Sequence, residues 1–325
     1  MKWIKFSFII FLMVFIVSGI ANSYFVTEYI DDVKNQMVFN NNSDLVHTVY
    51  EYAKKNNQFP IEPKIDPIWK LIPGYNGLVV DEETTIKTAI KEKVQSVNDL
   101  VFIWKEVEPK IKIDELKPYP IYRGNPEKPM VSLMINVAWG TEYLDSILKT
   151  LKEEKVKATF FLDGSWVKKN PEMARRIVNE GHEVGNHAYS HPQMSRLTNE
   201  RIEEELKKTE EIIYQTTKQK STYFAPPSGD YDKRVVEIAA KLQLRTVLWT
   251  IDTIDWQNPT PDTIIKRIIP KIDKGHLVLM HPTESTAKAL PRLIQEIKRK
   301  GLKIGSVKET LSTKRILPVE PPPKF

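Results

Sequence analysis

Gly185-Asn186-His187-Ala188-Tyr189-Ser190-His191-Pro192 is the stretch on which the reading of this chain turns. Its two histidines are four apart. On a helical turn that spacing puts both imidazoles on one side, where neutral ring nitrogens grip a divalent metal. The same pair also fits a loop carrying two polar surface histidines. Spacing alone does not choose between them, and the decision rests on what else the chain brings to the same place.

Working outward from that stretch, short apolar runs alternate with helical segments from Met130 onward. Strands are predicted over 131–137, 158–162, 183–185, 222–224, 245–250, 277–280 and 303–305. Helices are predicted near 142–154, 171–180, 199–215, 231–242, 261–272 and 286–299. Asn170-Pro171 reads as a cap followed by proline at the first helical position. In the third helix Ile202, Leu206, Thr209 and Ile213 share one face, with glutamates and lysines on the other. Seven strands joined by six crossover helices imply a parallel sheet. Over about 190 residues, closure into a seven-stranded barrel is favoured over an open doubly wound sheet.

Ligands in parallel α/β folds sit at the carboxyl ends of the strands. Here those ends carry Ala138-Trp139-Gly140, Asp163-Gly164, His187 with His191, Ala225-Pro226-Pro227-Ser228-Gly229, Asp252 with Asp255-Trp256, and His281-Pro282. Half of the six histidines therefore meet three aspartates on one face, which reads as a metal or carbohydrate site. Any one of them alone would be an ordinary polar loop residue.

Order and spacing resemble the polysaccharide deacetylase family, with its NodB-type catalytic domain of carbohydrate esterase family 4. The resemblance covers about Pro129 to Thr310. It is carried by Phe160-Phe161-Leu162-Asp163-Gly164-Ser165-Trp166, by Gly181 to Pro192, by Phe224-Ala225-Pro226-Pro227-Ser228-Gly229, by Asp252-Thr253-Ile254-Asp255-Trp256 and by Leu279-Met280-His281. It implies an α/β fold, a deformed (β/α)7 barrel with a smaller N-terminal α/β region. It also implies hydrolysis of N-acetyl groups on peptidoglycan or chitin-like glycans by a divalent metal, zinc or cobalt, that polarises the carbonyl and binds the attacking water. Carried onto this chain, His187 and His191 are the metal histidines. His281 is the general acid supported by Asp255, and Trp139, Pro227 and Trp256 line the substrate groove. An anchored N-terminal region before such a domain resembles the sporulation-associated branch in bacilli.

The first motif departs from the family pattern. A paired Asp-Asp-Gly is expected, and the chain has Ala138-Trp139-Gly140. Ala138 stands where the base belongs and Trp139 where the metal carboxylate belongs. Neither side chain accepts a proton or binds a hard cation. The arginine that opens the Pro-Pro motif is Ala225, a coupled loss, since a buried guanidinium without its carboxylate partner is costly. Ala188 replaces a hydroxyl residue and Ser228 a tyrosine. Two histidines with waters would still hold metal weakly. Asp163 is either a substitute ligand or a helix cap, and Trp139 either fills the metal pocket or stacks on a sugar.

The rest of the chain sets the context. Residues 1–23 carry Lys2 and Lys5 before an apolar run from Phe6 through Ile20, as in an export signal, either cleaved after Ala21 or kept as an anchor. A buried helix is the alternative. This places the remainder on the extracytoplasmic face of the cell membrane, or secreted to the cell wall or spore envelope. Residues 24–116 form a small α/β region with a helix after Ser43, a strand at 78–80, a helix at 82–93 and a strand at 100–104. Residues 117–129, with four prolines, read as a stiff linker or extended strap before the 130–312 domain, and 313–325 as a Pro-rich tail. Cysteine is absent, which excludes disulfides and thiolate chemistry. The net charge of +6, from 48 basic and 42 acidic residues, is spread along the chain and forms no nucleic-acid patch. Expected partners are peptidoglycan or another N-acetylglucosamine-containing polysaccharide, and the membrane through the N-terminal segment. Two functions stay open: a deacylase with a rearranged site, or a glycan-binding or scaffolding protein on a deacetylase fold with lost or reduced activity.

Overall fold

The computed structural model describes residues 42–316, with Met13, Val17, Ser18, Ser23 and Val26 as isolated positions before them. The expected signal or anchor and the proline-rich end beyond residue 316 lie otherwise outside the described residues. Among the described residues no helix is long and apolar enough to cross a membrane. The chain divides into two compact units, one of residues up to 58 with 78–105, the other of 59–77 with 106 onward. The expected linker at 117–129 falls inside the second unit.

In the first unit, α1 (Asn42–Asn56) buries Leu45, Val49 and Ala53, which recur every four residues and so share one face. Between the units' segments, β1 (Lys64–Asp66) and β2 (Lys70–Ile72) form an antiparallel hairpin belonging to the second unit. Then come β3 (Gly77–Val80), α2 (Glu82–Lys91) and β4 (Trp104–Val107), with β3 beside β4. Asp81 caps α2 by accepting the Thr84 N–H. The second strand, expected over 100–104, begins at Trp104, following a 3-10 turn at Val97–Asp99 and an irregular stretch.

The second unit carries the large sheet. Its elements are β5 (Met130–Val137), α3 (Thr141–Glu153), β6 (Thr159–Leu162), α4 (Gly164–Lys169), α5 (Pro171–Asn179), β7 (Glu183–Asn186), α6 (Asn199–Thr217), β8 (Tyr223–Phe224), α7 (Lys233–Lys241), β9 (Arg245–Thr246), β10 (Ile251–Asp252), α8 (Pro261–Ile268), β11 (Leu277–Met280), α9 (Glu284–Arg299), β12 (Lys303–Gly305) and α10 (Val307–Leu311). Strand order is β10-β11-β5-β6-β7-β8-β9, with β12 also on β5, and every pairing is parallel. β9 and β10 stand at opposite ends of that path, yet Thr246 and Ile251 are only five Cα steps apart. Five steps span at most about 18 Å, so the sheet must curl until its ends meet. This is the deformed (β/α)7 barrel.

The seam also corrects one expectation. Residues 245–250 are not a single strand. Val247 N–H donates to the Phe224 carbonyl on the β8 side, and Thr250 N–H donates to the Leu277 carbonyl on the β11 side. The segment hands its hydrogen bonds from one sheet edge to the other. Ile121 fills the gap: its N–H donates to the Thr246 carbonyl at 3.0 Å and its own carbonyl accepts the Leu248 N–H at 2.8 Å. Farther along, the buried Lys128 ammonium donates to the Ser312 carbonyl at 2.8 Å. Residues 117–129 are thus a strap bonded along the barrel.

Alternation along the strands separates two cores. Val131, Leu133, Ile135 and Val137 of β5 face the helices, packing with Leu144, Leu148 and Leu151 of α3 and Leu290, Leu293 and Ile297 of α9. Met134, Phe161, Tyr223, Val247 and Leu277 pack inside the barrel with Ile121. Both faces of β5 are therefore buried, which is why its sequence is a continuous apolar run.

Candidate active site

At the carboxyl ends of the strands lies a cavity of about 390 Å³. β5 and the bend after it supply Asn136, Ala138 and Trp139, the loop after β7 supplies His187 and His191, and the turn after β8 supplies Ser228. Trp249, Asp252 and Trp256 come from the seam and the turn beyond it, Leu279 and His281 from β11. Two larger clefts, about 460 and 550 Å³, lie by residues 117–120. Neither contains a histidine or a His–Asp pair, so the chemistry belongs to the strand-end cavity.

The structure brings His187 and His191 together, with ring centroids 5.1 Å apart and planes at 73°. It does so without the helical turn that their spacing suggests. Ala188 and His191 take left-handed backbone, φ +60° and +55°, a costly conformation for residues with a Cβ and one concentrated at functional sites. The loop is held from α6. Glu205, 3% exposed, accepts the N–H of Tyr189 and of Ser190 and the Ser190 hydroxyl, each at 2.8 Å. Sequence reasoning missed Glu205. Its one signal was a carboxylate on the apolar face of an otherwise amphipathic helix, between Ile202 and Leu206.

His187 is buried. Its Nδ1 lies 2.7 Å from the Ala225 carbonyl, which can only accept, so the proton sits on Nδ1 and Nε2 carries the lone pair. Burial first, then the neighbouring His191, push its pKa down to about 3. The ring is neutral at physiological pH.

On the other side of the cavity, Asp255 is fully buried and braces His281. Its Oδ1 accepts the His281 Nδ1–H at 2.8 Å, and its Oδ2 accepts the His281 backbone N–H at 2.6 Å and the Thr286 hydroxyl from α9. Asp252 shapes the turn between them: its Oδ1 accepts the Ile254 N–H at 2.8 Å while Ile254 holds φ +53°. Burial raises the Asp252 pKa. Trp139 stacks on His281 from above, centroids 5.8 Å apart and planes within 9°. Gly140, φ +76°, closes the first motif onto this wall, since a Cβ there would stand 1.9 Å from the Pro282 carbonyl oxygen.

The remaining sequence candidates are placed differently. Trp256 lines the cavity and is half-exposed. Pro227 is buried in its 3-10 turn and does not line the cavity; Ser228, at φ +54°, presents itself instead. Asp163 caps α4, its Oδ1 accepting the Trp166 N–H at 2.9 Å and the Ser165 hydroxyl at 2.6 Å. Its Oδ2 is buried with no hydrogen-bond partner among the described residues, and burial raises its pKa.

A hard divalent cation at such a site takes a carboxylate with the two imidazoles and leaves room for water. Here the sequence position of the expected carboxylate is Trp139, whose indole stacks on His281. Among the described residues no three His, Asp or Glu side chains are placed to share one metal. The donor set therefore does not fit the three-ligand metal that the resemblance implies, and no chemical step is routed through one.

Comparison with known proteins agrees with this geometry. The family model for polysaccharide deacetylase matches residues 123–247. A peptidoglycan-N-acetylglucosamine deacetylase of Bacillus cereus is 31% identical over 199 residues, 60% of this chain and 72% of that one. The chain belongs to the polysaccharide deacetylase family. Within the family, it is 48% identical over 270 residues to the uncharacterized protein YlxY of Bacillus subtilis, covering 82% of this chain and 84% of YlxY. It also matches the crystal structure of a carbohydrate esterase family 4 pseudoenzyme from Bacillus anthracis, at 46% identity and a TM-score of 0.76, covering 84% of this chain and 96% of that one. A mutant of that pseudoenzyme carries restored enzymatic activity. The polysaccharide deacetylase fold is thus found both with and without its reaction.

Proposed function

We propose that this protein is a polysaccharide deacetylase-like glycan binder of the cell envelope whose deacetylation is lost or reduced. The observation that carries the reading is Trp139. It takes the position of the expected metal carboxylate and lays its indole against His281, the side chain expected to protonate a leaving amine. The glycan class rests on the relatives, which include deacetylases of peptidoglycan N-acetylglucosamine and N-acetylmuramic acid. Half-exposed Trp139 and Trp256 offer flat apolar faces at the cavity mouth, the surface that a pyranose ring covers. The envelope location rests on Lys2, Lys5 and the apolar run behind them. In this reading His187 and His191 are the remnant of a metal triad, His281 with Asp255 the remnant of an acid pair, and Trp139 and Trp256 the working surface.

Two assays on the purified protein test this. It should sediment with insoluble peptidoglycan, less so after Trp139→Ala or Trp256→Ala. It should release no more acetate from peptidoglycan or N-acetylglucosamine oligomers, in added zinc or cobalt, than a His187→Ala control. No glycan association would sink the proposal. A second reading, an active deacylase with a rearranged site, is favoured by the intact His281–Asp255 pair. Metal-dependent acetate release above the control would establish it instead.

A further inference from the structure

The cavity has the wrong polarity for an N-acetyl group and the right polarity for an amine. An acetamide offers a carbonyl oxygen that needs a donor. In metal-dependent members the cation supplies that electrophile, and here the donor set for it is missing. Among the described residues no lysine or arginine lines the cavity, and the one formally charged side chain at its wall is Asp252. The His187 imidazole presents an acceptor. It spends its Nδ1–H on the Ala225 carbonyl, so Nε2 carries the lone pair. Asn136, 4% exposed and on the same wall, has an Oδ1 with no hydrogen-bond partner among the described residues. Trp139, Trp249 and Trp256 line the same cavity. Aromatic faces attract cations, indole most strongly.

We infer that this cavity takes the protonated 2-amino group of a de-N-acetylated sugar, so that the protein reads glucosamine units in an envelope glycan and not their N-acetylated precursors. The inference rests on the glycan-binding reading above and narrows its ligand. An ammonium carries three donors and a charge. Asp252 supplies the counter-charge, the His187 Nε2 accepts, and the tryptophans cover the ring. Such a site consumes the product of an active deacetylase. The reaction class that must supply its ligand is therefore amide hydrolysis on the same polymer.

Isothermal titration of the full-length protein with glucosamine tetramer and with N-acetylglucosamine tetramer at pH 7 tests the inference. A charge-assisted contact of the usual size corresponds to roughly tenfold tighter binding of the amine form. Asp252→Asn keeps the Oδ1 that accepts the Ile254 N–H and removes the charge. It should lower affinity for the glucosamine tetramer about tenfold relative to the N-acetylated tetramer, erasing the preference. Trp256→Ala should weaken both ligands by a similar factor. Equal affinity, or preference for the N-acetylated tetramer, overturns the amine assignment and leaves glycan binding standing. A preference that survives Asp252→Asn overturns the role given to Asp252. Binding of neither tetramer, and no association with peptidoglycan, overturns the proposed function as well.

Discussion

Trp139 and His281 lie face to face, planes 9° apart and centroids separated by 5.8 Å. One residue comes from the end of β5 and the other from the end of β11, neighbouring strands in the barrel. In a deacetylase the same two strand ends would hold a metal carboxylate and a proton donor. The lost motif has therefore been filled by a ring that packs on the surviving one. Trp139 is 46% exposed and belongs to neither of the two barrel cores.

Restoring the carboxylates should accordingly cost little in folding. Ala138→Asp with Trp139→Asp is expected to shift stability by about 1 kcal/mol or less. The double variant should gain stoichiometric zinc or cobalt, measured on the dialysed protein, and release acetate from N-acetylglucosamine oligomers. Metal without acetate would locate the remaining defect beyond the first motif. Neither gain would mean that the barrel itself has moved away from the family geometry.

Ala225 makes the next test. It is fully buried, and its carbonyl fixes the His187 tautomer. Ala225→Arg alone puts a guanidinium into the barrel end without a carboxylate, a loss of about 3 kcal/mol or more. In the Ala138→Asp background part of that loss should return, with a coupling of about 1–3 kcal/mol. Urea midpoints of the four proteins in the cycle measure it, and additive costs would show that the two positions do not meet.

Much of this site was legible in the sequence because chemistry-bearing residues sit at strand ends whose apolar runs are easy to read. Asn170-Pro171 does open α5, and Ile202, Leu206, Thr209 and Ile213 are all buried on α6. What stayed hidden depends on partners far away in the chain. Residues 245–250 read as one strand because their apolar pattern is continuous, while their hydrogen bonds change sheet edges midway. The left-handed turns at Ala188 and His191 have no glycine to announce them. Glu205 acts through backbone N–H groups 15 and 16 residues earlier, which no periodicity reveals. The motif reads Pro227 as groove wall, while Ser228, at φ +54° in the same turn, is the residue that lines the cavity.

Glu205 should behave as a loop anchor. Its carboxylate satisfies two backbone donors and one hydroxyl near the histidine pair. Glu205→Gln keeps one acceptor oxygen but loses charge assistance, for an expected loss of about 1–3 kcal/mol. Amide exchange at Tyr189 and Ser190 should accelerate in the variant more than exchange in β5. Unchanged protection at those two amides would remove the anchoring role.

Acid should destabilise the fold early. His182 and His276 have pKa values pushed down to about 4, and His187 to about 3, each chiefly by burial. In the unfolded chain a histidine titrates near 6.5. Between that value and the folded pKa the unfolded state binds more protons, so stability falls as pH drops. His187 alone gives a slope of about 1.4 kcal/mol per pH unit below about pH 6. The raised carboxyls of Asp163, Glu183 and Asp252 act oppositely. They bind protons more readily when folded and so offset part of the histidine effect as pH falls. Denaturant midpoints at pH 7.5, 6.5 and 5.5 should decline in that order. A flat profile would contradict the neutral, buried state of His187.

The seam gives the last prediction. Ile121 is 1% exposed, packs with Leu71 and Val247, and exchanges backbone hydrogen bonds with Thr246 and Leu248. If residues 117–129 were a free linker, Ile121→Ala would change stability by less than about 0.5 kcal/mol. As a strap closing the barrel, the side chain should be worth about 2–4 kcal/mol, the usual loss for a buried isoleucine. Ile121→Pro also deletes the N–H that donates to Thr246 and should cost more. Because Ile121 is bonded to the seam at Thr246 and Leu248, which leads to Trp249 and Asp252 in the cavity, the strap variants should weaken glycan binding along with stability. Loss of stability with glycan affinity intact would show that β9 and β10 hold the cavity wall without the strap.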